Sequence, residues 1–520
     1  MYDKTQKGGN ALKRILAAAL CLMLLLTGCG GELLYTPTGD ALQNSQTTQS
    51  TAPPSVPTPQ SLTLAYYPEK SMNPYEATEL SHKLIFSLVY QGLFAVDDQY
   101  QVHPILCQSY RVSKDLKTYT FYPAEATFAD GSPVTAGDIA ASLKAAQKGA
   151  VYAGRLKQVD AITLTEDSGV AVSLKTPYEN LPMLLDIPIV KAGEVAAQTP
   201  MGTGPYCYDV GLSGLQLRRR ADWWCQVKLP VTAETVSLLE VDSPATMRND
   251  FEYNHIGIVC ADPGSDTYVD YRCDYELWDV ESGLFLYLAC NENSAVFSNQ
   301  ALRVALTYAI DRDALIQEYY RGFAVSTYLP AAPDSLSYDP VLAGQYGYAP
   351  GRFSQAMAEA ALEAPAITVL VNKADSRRVK VAGGIGKMLE AFGFTVTVSA
   401  LSGNDYTKAL KNGNFDLHLG QTRLSPNMDL TPFFDPNGTL SYGGLADTVG
   451  FALAQGALEN EGNFGPLYRR ILDDGMLIPL LFRSYAIYVQ RGLFEELTPA
   501  RDHIFYYDLG RTLTDARLEN

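Results

Sequence analysis

Apolar and polar positions alternate over Leu62-Thr63-Leu64-Ala65-Tyr66, the period-two pattern of a strand with one buried face. Over residues 79–90 the apolar side chains instead recur at helical spacing. Thr118-Tyr119-Thr120-Phe121-Tyr122 returns to the strand pattern, and an Asp130-Gly131 turn follows. Thr135, with Asp138 three residues on, has the form of a capping box that opens a helix through Ile139 and Leu143. Further along, Leu215-Gln216-Leu217 and residues 235–241 predict an antiparallel pair on either side of Trp223 and Trp224. Residues 284–289 are apolar on both faces, which marks an interior strand, and a helix is predicted over about 299–320. Residues 366–371, a helix over 377–392 stopped by Gly393, and residues 394–398 read as a β-α-β unit, right-handed by default. Late strands are predicted at 415–419 and 478–482.

At 520 residues the chain exceeds what one hydrophobic core holds, roughly 250–300 residues, so at least two lobes are expected. The N-terminus carries a different pattern. Lys4, Lys7, Lys13 and Arg14 precede a short apolar run over 15–26, as in a secretory signal. The run ends in Leu26-Thr27-Gly28-Cys29, which resembles a bacterial lipobox and predicts an acylated Cys29 after removal of 1–28. Residues 29–60 read as a flexible tether, since 36–60 are rich in Ser, Thr, Gln and Pro and poor in large apolar residues. Elsewhere no apolar stretch is long enough to span a bilayer, so the body is expected to be soluble and held at the outer membrane face by lipid.

Removing 1–28 takes Lys4, Lys7, Lys13, Arg14 and Asp3 from 40 basic and 57 acidic residues, moving the formal charge from −17 to −20. Such a surface repels nucleic acid and anionic lipid. Six cysteines follow Cys29, and the Cys207/Cys225 and Cys260/Cys273 spacings could each close a hairpin-sized loop; Cys107 and Cys290 complete the set, and the pairing stays open. Enzyme and metal motifs are missing: Gly211-Leu212-Ser213-Gly214-Leu215 is not a nucleophile elbow, and Gly383-Gly384-Ile385-Gly386-Lys387 lacks the spacing of a phosphate loop and lies in a helix pattern. The five histidines are well separated, and His418, between Leu417 and Leu419, reads as facing a neighbouring side chain. No catalysis, cofactor or metal site is expected.

Several spaced segments resemble the family 5 extracellular solute-binding proteins, the peptide- and nickel-type receptors of ABC importers. Tyr90-Gln91-Gly92-Leu93 is similar to the family's Tyr-Glu-Gly-Leu, and residues 118–138 to its Thr-Tyr-Thr-Phe signature with the Asp-Gly turn and Thr-Ala-x-Asp helix start. Gly202-Thr203-Gly204-Pro205-Tyr206 matches its turn, and Tyr287-Leu288-Ala289-Cys290-Asn291 followed by residues 301–312 resembles its lobe-crossing strand and helix. The resemblance runs over about residues 60–490 and implies an α/β, two-lobed periplasmic-binding-protein-like fold of the second, large type with an extra subdomain. One lobe would comprise 61–290, including the subdomain at about 106–200, with 485–520 returning to it; the other would comprise 291–484. Hinge strands would cross at about 287–291 and 481–488. Ligand enclosed between lobes would stabilise the closed state by its differential affinity, and the loaded receptor would be recognised by the permease.

The resemblance also suggests where ligand contacts lie. Peptide-type members present a carboxylate to the ligand amine from the loop corresponding to Gly420-Gln421-Thr422-Arg423-Leu424-Ser425-Pro426-Asn427-Met428-Asp429-Leu430. Here the usual Trp and first Asp are replaced by Gln421 and about Leu424. Arg423 could contact a ligand carboxylate or phosphate with its fork, or form a salt bridge; Asp429 could meet an amine or cap the next turn. Tyr67, Asn73 and Tyr75 correspond to a cleft-facing loop of the first lobe, and Tyr442, Arg483 and Tyr485 are further candidates; each tyrosine could equally be packing. The expected protein is a monomeric, lipid-anchored receptor that captures an oligopeptide or peptide-like solute for an ABC permease, with no nucleic-acid partner. The alternatives are a peptide-sensing lipoprotein without transport, or a binder of a metal chelate or other small metabolite.

Overall fold

The computed structural model describes residues 61–519, apart from 213, 226, 362–364 and 461–462, and these belong to one compact unit. The signal-like segment, Cys29 and the tether lie outside the described residues.

The strand Leu62–Tyr66 opens a four-stranded sheet, running parallel to Thr235–Glu240, which pairs antiparallel with Gly214–Arg219 and through it with Tyr206–Gly211. A second four-stranded sheet, all antiparallel, runs in the order Cys107–Val112, Thr118–Pro123, Val170–Leu174, Val159–Leu164. The helix Ala136–Ala146 packs on it and starts at the expected capping box: the Thr135 backbone N–H donates to Asp138 at 2.9 Å, and the Asp138 N–H donates to Thr135 Oγ1 at 3.3 Å. Thr135→Ala should therefore lower stability by about 1 kcal/mol in urea unfolding; an unchanged midpoint would show the cap contributes nothing.

The largest sheet has seven strands, in the order Ile258–Ala261, Leu477–Val489, Glu276–Cys290, Leu417–Arg423, Ala366–Asn372, Thr395–Leu401, with Ala324–Ser326 added to Leu477–Val489. Its two long members pair antiparallel over most of their length. All thirteen residues of Leu477–Val489 are buried, as a strand covered on both faces requires. In Glu276–Cys290, burial alternates at the first end and becomes continuous at the second, so the apolar run at 284–289 marks only its last part. Side chains of that part alternate between two cores: Phe285, Tyr287 and Ala289 join the larger buried cluster, and Leu286, Leu288 and Cys290 the cluster around Val369 and Ile385. The pairing register shifts between Glu281 and Phe285, where Gly283 adopts φ +76°. A side chain is disfavoured at that φ, so glycine permits the bulge.

The β-α-β unit forms as expected from Ala366–Asn372, Ser376–Glu390 and the parallel strand Thr395–Leu401, with Gly393 at φ +91° ending the helix turn. Gly384 and Gly386 sit inside this helix, against Tyr319 and Val396 respectively. The helix expected over 299–320 is instead two helices, Gln300–Ala305 and Arg312–Tyr320, joined through a 3-10 turn. Asp311 caps the second, accepting from the Ala314 N–H at 2.9 Å. The buried Arg312 guanidinium donates to the carbonyls of Thr327 (3.1 Å) and Pro479 (2.8 Å), and lies over the Tyr328 ring. Those non-local bonds fix the break that helical periodicity hides. Cys107, Cys207, Cys260, Cys273 and Cys290 carry free thiols. No helix among the described residues is long and apolar enough to cross a membrane.

Candidate functional site

The bulge at Ser282-Gly283 lies between two strands that flank the same long strand, and side chains from both meet there. Arg423, the last residue of Leu417–Arg423, donates from Nη1 to the Ser282 carbonyl and from Nη2 to the Tyr485 hydroxyl at 2.6 Å. Ser282 Oγ in turn donates to the Arg483 carbonyl at 2.7 Å. Arg423 is exposed, and among the described residues no carboxylate pairs with it. A cation held by a neutral carbonyl and a phenol, open to water, keeps its capacity to receive an anion.

Arg483 is placed differently. Its Nη2 donates to both carboxylate oxygens of Asp262 at 2.6 and 2.7 Å, and Nη1 to Gln421 Oε1 at 3.2 Å, so its charge is already compensated. Asp429 accepts from the Thr431 N–H and hydroxyl at 2.9 and 2.6 Å, and pairs with Lys157 Nζ at 2.9 Å. It both holds the next turn and ties the 417–430 segment to the antiparallel sheet around Val159–Leu164.

The remaining candidates are not brought to this point. Asn73 is buried and donates to the carbonyls of Val195 (2.9 Å) and Ala197 (2.7 Å), while its Oδ1 accepts from the Tyr75 N–H at 3.0 Å. Tyr75 is buried and donates to the Pro188 carbonyl at 3.0 Å. Both fasten a loop instead of facing an opening. Half-buried Tyr67 packs in the small core around Phe251 and Tyr488, its phenol pushed up to about 12 by burial and then by Glu79 and Asp242. Tyr442 packs on Leu370, Leu410 and Phe415. Of the two readings open for Tyr75 and Tyr442, ligand contact or packing, their surroundings here are those of packing, and Asn73 in the same loop as Tyr75 is held by distant carbonyls.

Around the Arg423–Tyr485 pair, the structure adds charged groups that the sequence reading missed. Lys83 Nζ lies 5.9 Å from the Tyr485 ring centroid and pairs with Asp502 at 3.1 Å. Arg155 bridges Asp502 and Asp186. Glu281 accepts from the Tyr100 hydroxyl, and Arg501 donates to the Leu424 carbonyl. Burial works to raise the Asp502 carboxyl, but Arg155, Lys83 and Arg501 outweigh it and hold it well below the usual carboxylate range. Partners such as Lys83 and Asp502 stand 419 positions apart, so no spacing rule could pair them. The only local signal was the charged run Arg501-Asp502-His503 in an otherwise aromatic segment.

No group of three metal-ligating side chains occurs among the described residues. His418 is buried, with Nε2 2.7 Å from the Tyr406 hydroxyl, and burial followed by Arg378 pushes its imidazole down to about 3.

Residues 101–441 match the family described as bacterial extracellular solute-binding proteins, family 5, middle part. The glutathione-binding protein GsiB of Escherichia coli K12 is 27% identical over 284 residues, 52% of this chain and 55% of that protein. The chain thus spans about half the length of the curated relatives it matches. Among solved structures, the ABC transporter substrate-binding protein CtaP of Listeria monocytogenes superposes with a TM-score of 0.68 at 18% identity, covering 87% of this chain and 99% of that one. NikA from Brucella suis, solved with Fe(III)-EDTA, gives 0.64 at 18% identity over 85% of this chain and 98% of that one. These likenesses show the two-lobed binding-protein fold.

Proposed function

Because the chain belongs to the bacterial extracellular solute-binding proteins of family 5, we propose that it captures an oligopeptide or peptide-like solute between its lobes and delivers it to the permease of an ABC importer. In this reading, residues 61–290 with 485–520 form one lobe and 291–484 the other, and acylation at Cys29 tethers the protein to the outer membrane face. The observation that carries the ligand side is Arg423: an exposed guanidinium at the Ser282-Gly283 bulge, without a carboxylate of its own among the described residues. Family peptide receptors meet the ligand amine with an acid at the loop that Arg423 heads here, and an arginine reverses that polarity toward a ligand carboxylate. The name of GsiB fits the same chemistry, since glutathione is a small peptide bearing two carboxylates. Closure follows from a ligand touching groups on both lobes, Arg423 on one side and Lys83 with Tyr485 on the other.

Native mass spectrometry of the protein, purified without refolding, tests this. Recovery of short peptides or peptide-like anions supports the reading, and a metal complex or a cationic metabolite as sole occupant would refute it. Arg423→Met should weaken binding of a recovered carboxylate ligand by about tenfold or more, the weight of a charge-assisted hydrogen bond, while leaving the melting temperature of the ligand-free protein within a degree or so of the parent. Equal affinity for the two proteins would remove Arg423 from the site.

A further inference from the structure

A cavity of about 310 Å³ opens along the segment that follows Arg423, between the Tyr100 and 178–183 loops on one side and Ser335, Pro426, Asn427, Ala457, Leu458 and Phe464 on the other. At roughly 30 Å³ per liquid water it would hold about ten waters, within the size range of small-ligand pockets. Its walls are mainly rings and aliphatic groups: Tyr100, Tyr178, Met183, Leu458 and Phe464 are each buried, and Leu336 stands 55% exposed at the rim.

Three features single this cavity out. Asn427 Oδ1 is buried and accepts no hydrogen bond from the described protein, an expense that a folded chain rarely leaves standing without a use. Left-handed backbone without glycine occurs at the wall residue Tyr100, φ +60°, and at Met428, which follows the wall residue Asn427, φ +50°. Such conformations persist where the surroundings impose them and cluster at ligand sites. Finally, the cavity wall is bonded to the Arg423 site, because the Tyr100 hydroxyl donates to Glu281, whose neighbour Ser282 offers its carbonyl to Arg423.

We propose that this cavity is a side-chain subsite that selects ligands carrying a bulky apolar residue, aromatic or long aliphatic. Resting on the reading of the protein as a peptide receptor, the assignment sets the ligand's anionic group on Arg423, its apolar side chain against Met183, Leu458 and Phe464, and one of its amide N–H groups on Asn427 Oδ1. Apolar walls reward the area that such a side chain removes from water, whereas a methyl group would leave most of the volume to solvent.

The test uses the full chain, extracted in mild detergent, and three defined probes: trialanine and the same tripeptide with its central residue replaced by phenylalanine or by leucine, followed by calorimetric titration. The phenylalanine and leucine peptides should bind about tenfold or more tighter than trialanine. Ala457→Phe, which projects a ring into the volume, should collapse that ratio to about one. Leu336→Asn, at the exposed rim where folding is not at stake, should reduce it several-fold. Equal affinities for the three peptides, or an unaltered ratio in both variants, would overturn the subsite while leaving peptide capture standing. Absence of any binding or thermal stabilisation by all three would instead strike the peptide reading itself, and the subsite with it.

Discussion

Arg155→Met is expected to destabilise the protein by about 3–5 kcal/mol, the range for removing one partner from a buried ion pair. The Arg155 guanidinium reaches both Asp186 and Asp502, and Asp186 is only 3% exposed. Without it, two carboxylates face one another across a desolvated space, and only Asp502 keeps a direct counter-ion, Lys83 at 3.1 Å. Adding Asp186→Asn to Arg155→Met should recover part of the loss, because a neutral amide needs no counter-ion. Urea unfolding of the parent, single and double variants decides the matter, and a loss below about 1 kcal/mol for Arg155→Met would mean that water already screens the cluster. The same network adds an acid-sensitive contribution. Asp502 is held below the usual carboxylate range, so its stabilisation is fully present above the unfolded value of about 4 and is lost as pH falls through the lower folded value.

The second large effect is loss of stability on mild acidification. Burial pushes the imidazoles of His82 and His503 down to about 4 and that of His418 to about 3. For His82 the geometry explains the direction: Nε2 accepts the Tyr67 backbone N–H at 3.1 Å, and Nδ1 lies 3.0 Å from the Ser71 carbonyl, so the ring donates at Nδ1 and protonating Nε2 would break a bond. The unfolded chain takes up protons below about pH 6.5, but the folded chain does not until about pH 4, so stability falls as pH falls through that window. Between pH 6.5 and pH 5 each ring contributes a loss of about 1.6 kcal/mol, about 5 kcal/mol for the three, a large share of a typical folding free energy. Urea midpoints measured at pH 7, 6 and 5 should drop steadily, and His82→Gln, which keeps a donor and an acceptor, should flatten part of the slope. Constant midpoints across that range would contradict the burial of neutral imidazoles.

How far the fold was legible depended on how local its causes are. The capping box at Thr135 and Asp138 and the β-α-β unit ended by Gly393 are set within a few residues, and they formed as read. The break at Asp311 was hidden because helical spacing continues through it; what interrupts the helix is Arg312 bonding to Pro479, 167 positions away. The start of the Glu276–Cys290 strand was hidden for another reason, since its first half is half-exposed and carries the mixed composition of an edge. The candidate site divided along the same line. Arg423, Arg483 and Tyr485 lie on strands whose neighbours are set by the sheet, and they converge. Asn73 and Tyr75 sit in a loop whose partners, Val195, Ala197 and Pro188, lie more than a hundred residues on. No pattern around residue 73 announces those carbonyls.

The strand Leu477–Val489 has a consequence for the order in which the molecule can assemble. It supplies the partner for Ile258–Ala261 and for Glu276–Cys290, yet it is synthesised about two hundred residues after them. Until it arrives, one edge of Glu276–Cys290 carries unpaired backbone groups, and the apolar faces of Phe285 and Leu286 lack the Phe482 and Leu481 opposite them. A chain cut short after residue 476 would expose a long sticky strand edge, and a growing chain must wait for contacts spanning about two hundred residues before its middle sheet can close, the arrangement that slows folding most. Whatever keeps the growing chain from aggregating must therefore act until this strand has emerged.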